Sequence, residues 1–369
     1  MRIVVTGADG FLGWHVRVLA RALGLSDVVG VRTDGDPEAL AATLSGAERV
    51  VHLAGVNRAE PERLLRGNVE PAEALAAALR RCPAPPKTVA FANSIQAGNG
   101  TAYGEGKRRA AEILAEATRW TGTALVDLRL PNLFGEHGRP HYNSVVATFC
   151  ARLAAGERPT VEQDRELDLL HATDAARLLL TGSGEETGAD RSGRRTVCAL
   201  AERLSRFDAL YRAGEIPVLA DRFDVRLFNT YRSFCFPDRF PLPLPHHVDA
   251  RGGLVESVKV HGGGGQTFCS TTRPGVTRGE HFHLAKVERF AVVRGEAEIA
   301  LRRVLHRDVV RFRVGGDRPV AVDMPTMWAH SITNVGDGEL VTLFWANEVF
   351  DPSAPDTYPE PVEPAAARP

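Results

Sequence analysis

Short apolar runs alternate with longer amphipathic stretches through about the first 190 residues. The runs at 2–6, 27–31, 49–53, 88–92 and 124–130 read as strands. Between them, the Ala-, Leu-, Arg- and Glu-rich stretches at 12–23, 71–80 and 106–120 read as helices. Strand–helix alternation predicts a doubly wound parallel sheet with helices on both faces, an α/β Rossmann-type layer. Residues 191–245 read mainly as helix and irregular chain. Then the pattern changes. Phe240-Pro241-Leu242-Pro243-Leu244-Pro245 is a stiff, extended punctuator. Beyond it lie short apolar segments at 290–293, 297–301, 309–314, 320–323 and 340–345, separated by turn residues. A spacing of about 8–12 residues between such segments is the signature of an all-β sandwich or small barrel. Two domains are therefore expected, an α/β domain over 1–243 and an all-β domain over 246–369. The Pro- and Ala-rich tail after Asp351 is expected to be peripheral.

Composition agrees with two ordinary globular domains. The chain has 369 residues, 44% hydrophobic and 25% charged, which excludes disordered, collagenous and coiled-coil classes. Lys plus Arg (45) nearly cancels Asp plus Glu (46). No global basic field exists to hold nucleic acid or an anionic membrane, so neither is expected as a partner. Met1-Arg2-Ile3-Val4-Val5 reads as a buried strand rather than a secretory signal. No stretch approaches the ~18 apolar residues of a membrane helix. The five cysteines are scattered, with no C-x-x-C pair, and read as reduced packing residues of a cytoplasmic protein.

Gly7-Ala8-Asp9-Gly10-Phe11-Leu12-Gly13 joins the first strand to the first helix. Its first glycine permits a tight turn, its second a close approach of backbone to a pyrophosphate, its third close helix–sheet packing. The helix N-terminus then offers free N–H groups to phosphate. The second strand ends in Arg32, where an acidic residue would favour NAD; an arginine suits a 2′-phosphate, so NADPH is the expected cofactor, with Asp34 keeping NAD open. Tyr103 and Lys107 stand one helical turn apart. A phenol there can give a proton to a developing alkoxide, and a neighbouring lysine can lower the phenol pKa and hold the nicotinamide ribose. Ser94, just after the fourth strand, can orient a substrate carbonyl. Arg129, Asn132, Asn143 and Arg165 are further candidates for diphosphate or sugar.

Thr6-Gly7-x-x-Gly10-Phe11-Leu12-Gly13, Val51-His52-Leu53-Ala54-Gly55, Asn68-Val69, Tyr103-x-x-x-Lys107 and Leu130-Pro131-Asn132-Leu133-Phe134-Gly135 together resemble the extended short-chain dehydrogenase/reductases. These usually act on nucleotide sugars. The resemblance covers about residues 1–240, although the loop from Ser94 to Tyr103 is short for that family. It implies a catalytic set of Ser94, Tyr103 and Lys107. It also implies a cofactor site built from Thr6, Gly7, Gly10, Phe11, Leu12, Gly13, Arg32, Leu53, Ala54 and Gly55 together with Tyr103 and Lys107.

In the second domain His281 and His283 share one face of a strand by the period of two. With Glu288 and the distant His330 they make a donor set suited to a divalent transition metal, Zn²⁺ among them. The run Gly275, His281-x-His283, Glu288, Gly295 looks like the first motif of a cupin, a double-stranded β-helix. Pro325-x-x-x-x-His330-x-x-x-Asn334 resembles the second motif, with Met327 where a glycine is common.

A reductase followed by a cupin, in this order and length, resembles a family of two-domain capsular-polysaccharide enzymes. Narrower stretches carry that likeness, including Leu53-Ala54-Gly55-Val56-Asn57-Arg58, Ser94-Ile95-Gln96-Ala97 and Phe350-Asp351-Pro352. It implies that the cupin epimerises C3 of UDP-2-acetamido-2,6-dideoxy-β-L-arabino-4-hexulose. The reductase would then reduce the C4 ketone with NADPH to UDP-N-acetyl-6-deoxy-L-talosamine. It further implies a zinc-bearing homodimer. The alternative is a 4-keto nucleotide-sugar reductase, for UDP- or dTDP-sugars, whose cupin only binds or dimerises. The residues themselves leave the nucleotide, the metal and the cupin's catalytic base open.

Overall fold

The structure, a computed structural model, describes residues 1–182 and 193–363. The chain forms two compact units: Met1–Thr148 with Asp164–Val197, and Phe149–Gln163 with everything from Cys198 onward.

In the first unit the apolar runs become strands and the amphipathic stretches become helices. The order is β1 (Ile3–Thr6), α1 (Phe11–Ala22), β2 (Val28–Val31), α2 (Pro37–Leu44), β3 (Arg49–His52), α3 (Pro61–Arg81), β4 (Thr88–Ser94), α4 (Ala102–Thr121) and β5 (Ala124–Leu130). All five strands are parallel, in the order β2-β1-β3-β4-β5. Val4, Val50, Val89 and Phe91 pack against Leu44, Leu75, Leu79 and Leu114 of the helices, with no exposure above 1% among them. The strand order reverses between β1 and β3, and the crevice beyond their carboxyl ends is where open α/β sheets take ligands. A smaller sheet, β6-β7-β8, follows from β6 (Asn132–Phe134), β7 (Glu166–His171) and β8 (Gly193–Thr196), with α5 (Val145–Ala154) and α6 (Ala172–Thr181).

One helix is longer than its pattern predicts. α3 starts at Pro61 and continues through Pro71, ten residues before the expected start. Pro71 removes one N–H from the helical ladder. The buried side chains of Ala72, Leu75 and Leu79 hold the helix on the sheet on its far side.

Besides Phe149–Gln163, the second unit contains α7 (Val197–Arg212) and α8 (Arg222–Cys235), joined through β9 (Glu215–Ile216). The Pro-rich run is not a free linker: within it β10 (Leu242–Pro243) pairs with Val320 and Ala321. β11 (His246–Asp249) and β12 (Gly252–Val255) form an exposed hairpin, and β13 (Lys259–Val260) lies beside β9. The all-β body consists of β14 (Gln266–Thr272), β15 (Thr277–Phe282), β16 (Glu288–Arg294), β17 (Glu296–Arg303), β18 (Val309–Gly315), β19 (Val320–Met324), β20 (Trp328–Asn334) and β21 (Leu340–Ala346), closed by β22 (Tyr358–Pro359). Two five-stranded antiparallel sheets, β10-β19-β16-β21-β14 and β18-β17-β20-β15-β22, face each other. Phe290, Val322 and Phe344 of one meet Ile299, Leu301 and Ile332 of the other, which is the cupin sandwich.

α7 and α8 group with this β body because their polar side chains are satisfied there. Arg232 Nη2 donates to Met324 O at 2.6 Å, and Tyr211 OH donates to Asp323 at 2.8 Å. Asp323 in turn holds Arg289 through two bonds, and Arg289 donates to Gly214 O. The compact units thus divide near residue 197, upstream of the run where the sequence changes style.

The tail departs from expectation. Residues 355–362 are bonded into the β body rather than peripheral to it, through β22 and several buried contacts. The last residues, 364–369, lie outside the described part of the chain.

Candidate functional site

β1 hands over to α1 through Gly7, whose φ of +69° lies in the left-handed region. A Cβ there would sit 2.8 Å from Ala54 N, and one on Gly13 would sit 2.3 Å from Gly7 O. Gly10 is different: a Cβ there would meet only Gly7 O, at 3.3 Å. Gly7 and Gly13 therefore serve the protein's own packing, whereas the space before Gly10 is open. Gly10 also caps α1 with no side-chain bond and no acidic residue in the first turn. That leaves the helix N-terminus to an anion.

Gly7, Gly10, Phe11, Leu12, Gly13, Leu53 and Gly55 line a cavity of about 390 Å³, a size suited to a small-molecule site. Thr6 and Ala54 are not among its lining residues. Thr6 Oγ1 accepts from Leu53 N and Ala54 N at 3.1 and 3.3 Å and pairs with His52 Nδ1 at 2.8 Å. These two residues hold the floor rather than face the opening. Arg32 is exposed and also outside the lining; its guanidinium grips Asp34 at 3.0 and 2.5 Å.

Ser94, Tyr103 and Lys107 line the same cavity. Thr101 starts α4 by accepting from Gly104 N at 3.0 Å, which sets Tyr103 in the first turn. Burial pushes the Tyr103 phenol up, and its hydrogen bond with Ser94 pulls the other way. Lys107, expected to be the group that lowers it, is itself buried and donates to Ala92 O at 2.9 Å. Burial lowers its ammonium to about 8, opposed by Asp127. Asn93 bridges to that carboxylate at 3.1 Å. Gln96, Asn132 and Asn143 also line the cavity; Arg129 and Arg165 do not.

Sequence reasoning missed Arg139, Tyr142 and Ser144, which complete the wall. The Arg139 guanidinium lies 4.9 Å from the centre of the Tyr142 ring. Arg58 holds the loop by donating to Tyr142 O at 2.6 Å. The available signal was the polar run after Gly135, which follows directly on strands that end at the cavity.

In the second unit His281, His283, Glu288 and His330 converge, with all four ligand atoms within 4.8 Å of one another. β15 carries His281 opposite His330 on β20, and β16 opens with Glu288. Two of the imidazoles have one nitrogen tied to a main-chain oxygen: His283 Nδ1 donates to Asp356 O at 2.6 Å, and His330 Nδ1 donates to Trp328 O at 3.2 Å. A neutral imidazole has one N–H, so the Nε2 atoms of His283 and His330, which face Glu288, are bare. Burial lowers His281 to about 3 and lowers His330 as well. His330 Nε2 is buried without a hydrogen-bond partner. His283 Nε2 and His330 Nε2 approach Glu288 Oε2 at 3.2 and 3.5 Å. Electron-pair donors so placed repel each other until a cation sits among them, and this is the donor set that zinc and similar ions take. Met327, which stands where a glycine is common, adopts φ +62° and donates its N–H to His283 O at 2.7 Å. Lys286, between His283 and Glu288 in the chain, is buried.

Residues 3–185 match the NAD dependent epimerase/dehydratase family, and residues 247–358 match the polysaccharide biosynthesis C-terminal domain. A UDP-2-acetamido-2,6-beta-L-arabino-hexul-4-ose reductase of Pseudomonas aeruginosa is 34% identical over 367 residues, covering 97% of this chain and 98% of that one. The crystal structure of the capsular polysaccharide assembling protein CapF from Staphylococcus aureus is 34% identical, with a TM-score of 0.62 over 98% of this chain and 100% of that one. The chain belongs to the CapF family. A second CapF structure, with the inhibitor 3-isopropenyl-tropolone, is 31% identical with a TM-score of 0.57 over the same shares. Both halves of CapF are thus present here, and each matched segment carries one site. The glycine cradle, Ser94, Tyr103 and Lys107 fall in the first, and the histidine–glutamate cluster falls in the second. An NAD(P) cofactor follows from the first family, and the open face before Gly10 fits its pyrophosphate. No described helix is long and apolar enough to cross a membrane.

Proposed function

We propose that this CapF-family chain is a bifunctional nucleotide-sugar enzyme. It epimerises C3 of UDP-2-acetamido-2,6-dideoxy-β-L-arabino-4-hexulose in the cupin and reduces the C4 ketone with NADPH in the α/β unit. The product is UDP-N-acetyl-6-deoxy-L-talosamine, and the working form is a homodimer. The observation that carries this reading is the coexistence of two separate chemical sites on one chain. One is a Ser94–Tyr103–Lys107 set at a dinucleotide cavity, the other a buried three-histidine, one-carboxylate cluster. The Pseudomonas relative, named for reduction of this ketone, supports the substrate.

The C3 proton is acidic because it lies α to the C4 carbonyl. Its removal leaves an enolate, and return of a proton to the opposite face inverts C3 without net change in atoms or electrons. His281, His283, Glu288 and His330 would hold a divalent cation, with zinc our assignment, which would supply Lewis acidity for that oxygen. In the other site the Gly10 face would hold a reduced nicotinamide cofactor, whose chemistry would be hydride delivery to C4. Tyr103 gives the matching proton to O4, Ser94 orients that oxygen, and Lys107 holds the ribose and favours the phenolate left behind. Reduction removes the acidifying ketone and so fixes the C3 configuration.

Proton NMR in D₂O tests both roles. Without NADPH the enzyme incorporates deuterium at C3 of the 4-keto sugar; addition of NADPH then yields the 4-hydroxy product. Reduction with no prior exchange would leave the cupin without a catalytic role. Neither event would remove this substrate.

A further inference from the structure

We propose that residues 355–362 form a strap that presets the histidine–glutamate cluster for its metal, with Asp356 as the positioning residue. This rests on the reading of that cluster as a metal site. The argument starts from the loop between the second and third ligands. Leu284, Ala285 and Lys286 belong to no strand, so their backbone polar groups need partners elsewhere. All three N–H groups donate to the Asp356 carboxylate, at 3.0, 2.8 and 2.8 Å. On the opposite side, Leu284 O and Ala285 O accept from Arg226 and Asn229 of α8, each at 2.6 Å. The ligand loop is thus clamped between α8 and the tail.

Asp356 also acts on a ligand directly. Its carbonyl can only accept, so His283 Nδ1 carries the ring proton and Nε2 is left bare beside Glu288. This is the outer contact that fixes tautomer and ring orientation in metal-bound histidines. Asp356 adopts φ +42° to present both groups at once, a backbone strain that the surrounding bonds must hold. The strap has its own anchors. β22 pairs Tyr358 and Pro359 with Phe282 and His281. Val362 N donates to Glu280 Oε2 at 2.8 Å. Buried Arg302 donates to Glu360 Oε1 and Val362 O, each at 2.7 Å.

The test uses the full chain, stripped with a chelator and titrated with Co²⁺, read by the visible absorption of the bound ion and by the metal-induced rise in Tm. Wild type is expected to bind one Co²⁺ per chain. Asp356→Ala and Asp356→Asn should raise the dissociation constant about 10–100-fold and shrink the Tm rise, with NADPH binding unchanged. Asp351→Asn, in the same tail but bonded among the described residues only to Ser353 and Ala354, should behave as wild type. A lower metal-free Tm with unchanged Co²⁺ affinity would reduce the strap to a structural element and overturn the proposal. If Asp356→Ala does not fold, Glu360→Gln reads the strap through its anchor by the same two criteria. Wild type that takes up no Co²⁺ would overturn the metal reading itself, a result separable from failure of the strap.

Discussion

Lys107 is a residue of the reductase site whose charge the fold alters. Burial brings its ammonium to about 8, against about 10.4 in an unfolded chain. Between those values the unfolded state binds more protons, so Lys107 makes stability rise with pH across that window. Its proposed catalytic use runs the other way, because holding the ribose and favouring a phenolate need the positive charge. NADPH oxidation should therefore fall as pH rises through about 8 while the protein stays folded. Lys107→Arg, which keeps its charge, should lose that alkaline limb. An unchanged limb in this variant would assign the titration to another group. Arg32 poses a different question. The sequence reads it as a 2′-phosphate partner from its place at the end of β2, but its pairing with Asp34 could not be read, since it depends on rotamers at an exposed turn. Asp34 competes with a 2′-phosphate for the same guanidinium. Asp34→Asn should lower KM for NADPH and leave NADH unchanged, and Arg32→Glu should raise KM for NADPH selectively. Equal effects on the two cofactors would remove Arg32 from the phosphate site.

At the scale of elements, apolar periodicity made both folds readable, because each strand and helix buries one face against a regular neighbour. The period of two also marked His281 and His283 as neighbours on one face, and the fold brings Glu288 and His330 beside them. What it could not show are elements held by polar long-range bonds. α7 and α8 group with the β body through Arg232, Tyr211, Arg289 and Asp323, and the tail joins it through Asp356 and Arg302. These partners lie up to 112 residues apart in the chain, and no local pattern marks them. The Arg289–Asp323 pair is the clearest case, with side chains 1% and 0% exposed. Removing one partner leaves the other charge buried and alone. Asp323→Asn should cost about 3–5 kcal/mol in denaturant unfolding, while Arg289→Met with Asp323→Leu should cost less than Asp323→Asn alone. A double variant as unstable as the single one would mean that Tyr211 and Gly214, not the ion pair, hold the helices.

For the whole molecule, two sites on one chain raise the question of whether the intermediate must stay bound. The chemistry gives an answer that needs no channel. Epimerisation at C3 is reversible as long as the C4 ketone persists, and reduction ends that reversibility. A reductase site that accepts one epimer therefore draws the mixture toward it even when the sugar passes through solvent. His283→Ala should lose bound metal and C3 exchange but keep the cavity of Gly10, Tyr103 and Lys107 intact. Tyr103→Phe should keep exchange and lower NADPH oxidation by about 10²–10⁴-fold. Each variant alone should then give little of the 4-hydroxy product. Mixed together, they should restore it, at a rate that rises with the concentration of either one. Product formation that stays absent in the mixture, with each variant retaining its own half-reaction, would mean that the epimerised ketone is not released. The fusion of reductase and cupin would then serve transfer between sites rather than the trapping of an equilibrium.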